Sequence, residues 1–125
     1  MSVPVTALYL GLMGLLAVAL ANFVLYVRLR AAKQPKWRPD AALRVQANFV
    51  ENVPIGLLLL LGLELQGLAP AALHVFGGSL FACRVLHAWG LGGYEGANYP
   101  RLVGAQGTFL LLSIMSVALI YGALR

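Results

Sequence analysis

The chain has 125 residues, of which 61% are hydrophobic and only 10% charged. Soluble domains carry about 25% charged residues, and a soluble chain this small could not hide so much apolar surface, so part of its solvent is lipid. The net charge of +5 is concentrated: Arg28, Arg30, Lys33, Lys36, Arg38 and Arg44 hold six of the nine basic residues. They lie between the first two apolar segments with few interleaved aromatics. That pattern reads as a membrane-surface loop obeying the positive-inside rule, and no nucleic-acid partner is expected. The single cysteine, Cys83, excludes an internal disulfide and a cysteine-based metal site, and its apolar surroundings read as core.

The first apolar segment runs from Val3 to Val27 and predicts a helix over about 3–30, long enough to span a bilayer with some tilt. Ala19-Leu20-Ala21 mimics a signal-peptidase site. The missing basic n-region and the basic cluster after the run favour a retained span. Asn22 reads as a helix-packing residue. In the first loop, Pro35 and Pro39 are expected to end any helix, Trp37 to anchor at the interface, and Asp40 to cap the next helix.

The second helix is expected over about 41–66. Its first half is amphipathic and its second half is mostly Leu and Gly. Pro54 removes one backbone hydrogen bond and predicts a bend. Glu64, near the far end, is expected to reach the headgroups. The third helix, about 70–90, starts at Pro70, with His74 at one interface and Trp89 at the other. The stretch LGGYEGANYP reads as turns, and the fourth helix follows over about 101–124. The chain is thus expected to be an all-α integral membrane protein, a single four-helix domain.

With the first loop on the cytoplasmic side, the third loop is cytoplasmic too and both termini are outside. Arg44, Asn48 and Glu51 then begin the second helix at the depth where Arg84 and His87 end the third and Arg101 begins the fourth. At roughly 100° per residue, Arg44, Asn48, Glu51 and Ile55 fall within about 60° of one face. Ionisable groups inside a span are costly and default to a functional hypothesis. The bland alternative is a structural ion pair of Glu51 with Arg44 or Arg84, bridged by Asn48. Against it, cationic groups outnumber Glu51 and leave capacity for an anionic ligand, and arginine binds carboxylates in paired hydrogen bonds. A ligand with carboxylates, an amine and a thiol fits these groups. Its thiol, with a free pKa of about 8.5, would ionise more readily beside an arginine.

The run RVQANFVENVPI resembles the signature of the membrane-associated proteins in eicosanoid and glutathione metabolism, the MAPEG family. The matching positions are Arg44, Gln46, Asn48, Glu51 and Pro54. CRVLHAWG resembles the family's Arg-x-x-His/Tyr element at Arg84 and His87. The resemblance implies four-helix protomers assembled as a homotrimer, with glutathione bound between subunits near the cytoplasmic face and a lipophilic co-substrate arriving through the bilayer. It implies glutathione contacts at Arg44, Asn48 and Glu51, with Gln46, Arg84 and His87 beside them. Arg101 is the implied thiolate stabiliser. Arg28 or Arg30 is the implied contact from a neighbouring subunit, and Tyr94 is a further candidate in the third loop. A bacterial inner-membrane location and a microsomal-type glutathione transferase activity follow as expectations, with peroxide reduction or isomerisation as related outcomes. Two other readings stay open: a non-enzymatic protein whose polar cluster fixes oligomer packing, and a small four-span transporter.

Overall fold

The computed structural model describes residues 2–30, 39–93 and 99–125. Four helices form among them: α1 (Pro4–Arg30), α2 (Pro39–Leu65), α3 (Pro70–Gly93) and α4 (Tyr99–Leu124). Each opens with a proline in its first two positions, where the missing N–H has no intrahelical acceptor to lose and the fixed φ suits a first turn. Pro39 therefore starts α2 instead of ending a helix. Asp40 lies within the first turn, not at the cap as the sequence suggests. α2 runs on through Pro54, and α3 continues three residues past the expected end, to Gly93. Trp37, Tyr94 and the basic loop residues Lys33, Lys36 and Arg38 lie outside the described residues.

All four helices are long and apolar enough to cross a membrane. α2 and α3 form the centre of the bundle, with α1 packed against both on one side and α4 against both on the other. About a third of the α2 span is buried in the protomer (33%), against 11% of the α4 span, so α2 is the central helix and α4 presents mostly outward surface. The core has two tiers. Met13, Val45, Phe49, Val53 and Leu80 fill one end. Tyr9, Leu60, Leu63, Leu73 and Met115 fill the other. Asn22 is exposed on the protomer, so it does no packing within it.

At the end of α2 the Leu68 amide donates to the Leu63 carbonyl at 3.1 Å and the Gly67 amide to Glu64 at 3.0 Å. This is a Schellman motif, and Gly67 supplies the positive φ of 85° that it requires. The tight turn brings α3 back beside α2. At the same end Glu64 departs from its expected role at the headgroups. Its carboxylate turns inward and accepts from the Val5 amide (3.1 Å), the Thr6 amide (2.7 Å) and the Thr6 hydroxyl (2.8 Å). Those amides belong to the first turn of α1, which has no acceptors of its own and carries the positive end of the helix dipole. Glu64 thus caps a neighbouring helix. The Tyr9 hydroxyl joins α1 to α3 nearby, 3.1 Å from His74 Nδ1 and 3.2 Å from the His74 carbonyl.

Candidate functional site

The opposite end of the bundle carries the polar cluster. Counted along the spans, Asn48 lies five residues inside the α2 span, Arg84 six inside α3 and Thr108 seven inside α4. At 1.5 Å per residue these are depths of about 8–11 Å, so the three side chains lie in one layer. What brings α3 and α4 close enough for contact is Gly104. A Cβ there would lie 2.5 Å from the His87 amide nitrogen and 2.6 Å from the Cys83 carbonyl oxygen, so only glycine permits this approach. Cys83 is accordingly half-buried at the α3–α4 contact.

Arg84 is 2% exposed and reaches across the bundle. One terminal nitrogen donates to Asn48 Oδ1 on α2 at 2.5 Å, the other to Thr108 Oγ1 on α4 at 3.3 Å. Thr108 in turn donates to the Gly104 carbonyl at 2.7 Å, one helical turn back. Asn52 Nδ2 donates to the Asn48 carbonyl at 2.8 Å and lies 3.3 Å from Asn48 Oδ1. The ion-pair alternative for Glu51 is not what forms: Arg84 pairs with Asn48 and Thr108. Among the described residues neither Glu51 nor Arg44 has a hydrogen-bond or ion-pair partner. Arg84 Nε and His87 Nδ1 are buried and retain unused hydrogen-bonding capacity.

Beside this layer lies a depression of about 220 Å³ lined by Arg44, Ala47, Asn48, Glu51, His87 and Arg101. Two guanidinium groups, one carboxylate, an imidazole and an amide therefore meet in one space, contributed by α2, α3 and the start of α4. Arg84 does not line it and reaches it through Asn48. Gln46 is half-buried and off its wall, and Arg28 is exposed on α1 away from it. Arg30 ends α1, but its side chain, like Tyr94, lies outside the described residues. The residues that sequence reasoning missed are Thr108 and Asn52. Thr108 looks like an isolated polar spot in an apolar run, and only its spacing of four from Gly104 hinted at a carbonyl contact. Among the described residues no group of three or more His, Cys, Asp or Glu side chains is arranged to hold a metal ion.

Chemically, the depression can hold an anionic ligand against Arg44 and Arg101 and receive an amine at Glu51. Four spanning helices with a polar crevice near one membrane face define a multi-pass α-helical membrane protein. The MAPEG family model matches residues 6–121, and the chain belongs to that family. It is also similar to the inner membrane protein YecN of Escherichia coli, in strain K12 and in strain O6:H1. Each match is 33% identical over 79 residues and covers 63% of this chain and 59% of the relative. The match thus spans less than two thirds of those relatives. No solved structure matches the chain significantly.

Proposed function

We propose that the protein is a membrane-bound glutathione-dependent transferase that activates the glutathione thiolate against lipophilic electrophiles. The observation that carries this reading is the depression where Arg44, Asn48, Glu51, His87 and Arg101 converge. Its two guanidinium groups and one carboxylate match a ligand with two carboxylates and one amine. Arg44 takes a carboxylate, Glu51 the amine, and Asn48 a peptide or carboxylate oxygen. Arg101 faces the thiol and favours its ionised form by charge. In the transfer step the thiol proton leaves to water, the thiolate sulfur bonds to the electrophilic carbon, and the leaving group departs with its electron pair. Peroxide reduction and isomerisation are related outcomes of the same thiolate.

The working unit in this reading is a homotrimer. Arg44 and Glu51 are exposed on the protomer although both lie within the α2 span. Lipid cannot solvate Glu51, eight residues inside that span, so a neighbouring subunit that covers this face and encloses the depression relieves the cost. Arg28 or Arg30 of that neighbour is then the candidate contact from α1. The first and third loops are cytoplasmic and both termini outside, as the basic first loop favours. The name of the Escherichia coli relative supports an inner-membrane location.

The test is a conjugation assay on detergent-purified protein with glutathione and chlorodinitrobenzene. Turnover is expected, with Arg101→Ala lowering it roughly a hundredfold, the usual effect of removing a group that stabilises developing or reacting charge. Wild-type protein that binds glutathione but is indifferent to Arg101→Ala contradicts the role of Arg101. A second reading is favoured by the same exposed pair: Arg44 and Glu51 serve only as contacts between subunits. It predicts that Glu51→Gln breaks the oligomer and that glutathione does not restore it.

A further inference from the structure

We infer that Arg84 is a positioning residue: held by Thr108, it turns the Asn48 amide so that its N–H groups face the depression. Asn48 thereby selects a ligand with a hydrogen-bond acceptor at that point. The identity of the ligand rests on the glutathione reading above; the orientation of the amide does not.

The orientation follows from which groups can only give and which can only receive. A guanidinium has donors and no acceptor, and a backbone carbonyl accepts only. The Asn48 carbonyl therefore fixes Asn52, whose Nδ2 must be the atom facing it at 2.8 Å. That same Nδ2 lies 3.3 Å from the Asn48 side chain, and Arg84 approaches the same atom at 2.5 Å. Two donors converge there, so the atom is the amide oxygen. Reversing the Asn48 amide sets N–H groups against the N–H groups of Arg84 and Asn52.

Thr108 is fixed by the same logic. Its hydroxyl hydrogen is spent on the Gly104 carbonyl at 2.7 Å, which leaves a lone pair for Arg84. Thr108 is fully buried and Arg84 nearly so, which holds the guanidinium between its two acceptors. The remaining group of Asn48, Nδ2, has no acceptor among the described residues, and Asn48 lines the depression. The layer beside the depression therefore converts an amide that reads donors and acceptors alike into one that offers N–H. A peptide carbonyl or a carboxylate oxygen of a glutathione-like ligand satisfies it; an ammonium or a second N–H does not.

Asn48→Asp separates this from a purely structural role. The carboxylate still accepts from Arg84 and Asn52, so the layer is kept, but its second oxygen now faces the ligand's acceptor. The proposal predicts a melting temperature in detergent no lower than wild type and a glutathione Kd weaker by about tenfold or more, as for one lost hydrogen bond to a charged or peptide group. Thr108→Val is predicted to weaken glutathione binding several-fold, with Thr108→Ser restoring it. An Asn48→Asp protein that binds glutathione as tightly as wild type overturns the proposal. So does one whose melting temperature falls by several degrees, because a carboxylate held by Arg84 and Asn52 keeps its acceptor contacts, and a loss means that Arg84 does not donate to position 48. If wild-type protein binds no glutathione, the functional reading fails separately, and the melting comparison still decides whether Arg84 donates to an acceptor at position 48.

Discussion

Gly104 and the His87 backbone are in direct contact: a Cβ on Gly104 would lie 2.5 Å from the His87 nitrogen and 2.8 Å from its Cα. No side-chain rotation relieves that overlap, because both sides are helix backbone. Gly104→Ala is therefore expected to push α4 off α3. Overpacking of this kind costs about 1–3 kcal/mol. It also withdraws Arg101 and Thr108 from His87 and Arg84. The expected result is a lower melting temperature together with loss of glutathione affinity, read by thermal denaturation and calorimetry on one preparation. An unchanged melting temperature would mean that the helices are not this close.

Glu64 offers the contrasting case. It caps α1 from α2 at the end of the bundle far from the polar depression. Glu64→Ala removes the acceptor of two first-turn amides and of the Thr6 hydroxyl, so a lower melting temperature is expected. Glutathione binding is expected to stay as in wild type. Glu64→Gln, which keeps an oxygen but loses the charge that favours a helix N-terminus, is expected to fall between the two. A Glu64→Ala protein that loses binding while keeping its stability contradicts this division of labour.

Arg84 donates to acceptors on two different helices from its two separate terminal nitrogens, a span that its planar fork provides and a single ammonium nitrogen does not. Arg84→Lys keeps the charge and loses one of the two contacts. The cost of leaving a buried acceptor or donor unmatched is about 1–3 kcal/mol. A shift to lower denaturation temperature is expected for Arg84→Lys, and a smaller one for Thr108→Val, which keeps the shape of the side chain. If Thr108→Val is neutral while Arg84→Lys is severe, Asn48 alone holds the guanidinium.

Glu51 has no hydrogen-bond or ion-pair partner among the described residues and lines the depression. Assigning it the ligand's amine gives a selective expectation. Glu51→Gln weakens glutathione binding by roughly tenfold, about 1.4 kcal/mol. It leaves the affinity for an analogue lacking the α-amine unchanged. Equal losses for both ligands would remove the amine from Glu51 and favour a role in subunit packing.

Much of this was legible in the sequence. Four apolar runs of more than 20 residues fix four spans, because no other structure satisfies a backbone in lipid. The spacing of Arg44, Asn48 and Glu51, with the loop order, brings them to the depth of Arg84, His87 and Arg101. The partners within that layer were not legible. Whether Arg84 meets Glu51 or Asn48 depends on how far α3 is rotated against α2, and loop lengths do not encode rotation. Thr108 is one hydroxyl in an apolar run. Gly104 is one of 14 glycines, and nothing local marks it as the contact point. Glu64 has the same sequence context whether it reaches headgroups or caps α1. Pro39 reads as a stop by its missing N–H, yet the same missing N–H suits the first turn that it opens.

The central claim is that the depression between Arg44, Glu51 and Arg101 binds glutathione. Calorimetric titration of the detergent-purified protein with glutathione tests it most directly, with Arg44→Ala as the control. Saturable binding is predicted for wild type, weakened by about tenfold or more in Arg44→Ala through loss of a paired carboxylate contact. No binding at millimolar glutathione, by a protein that remains folded, would contradict it.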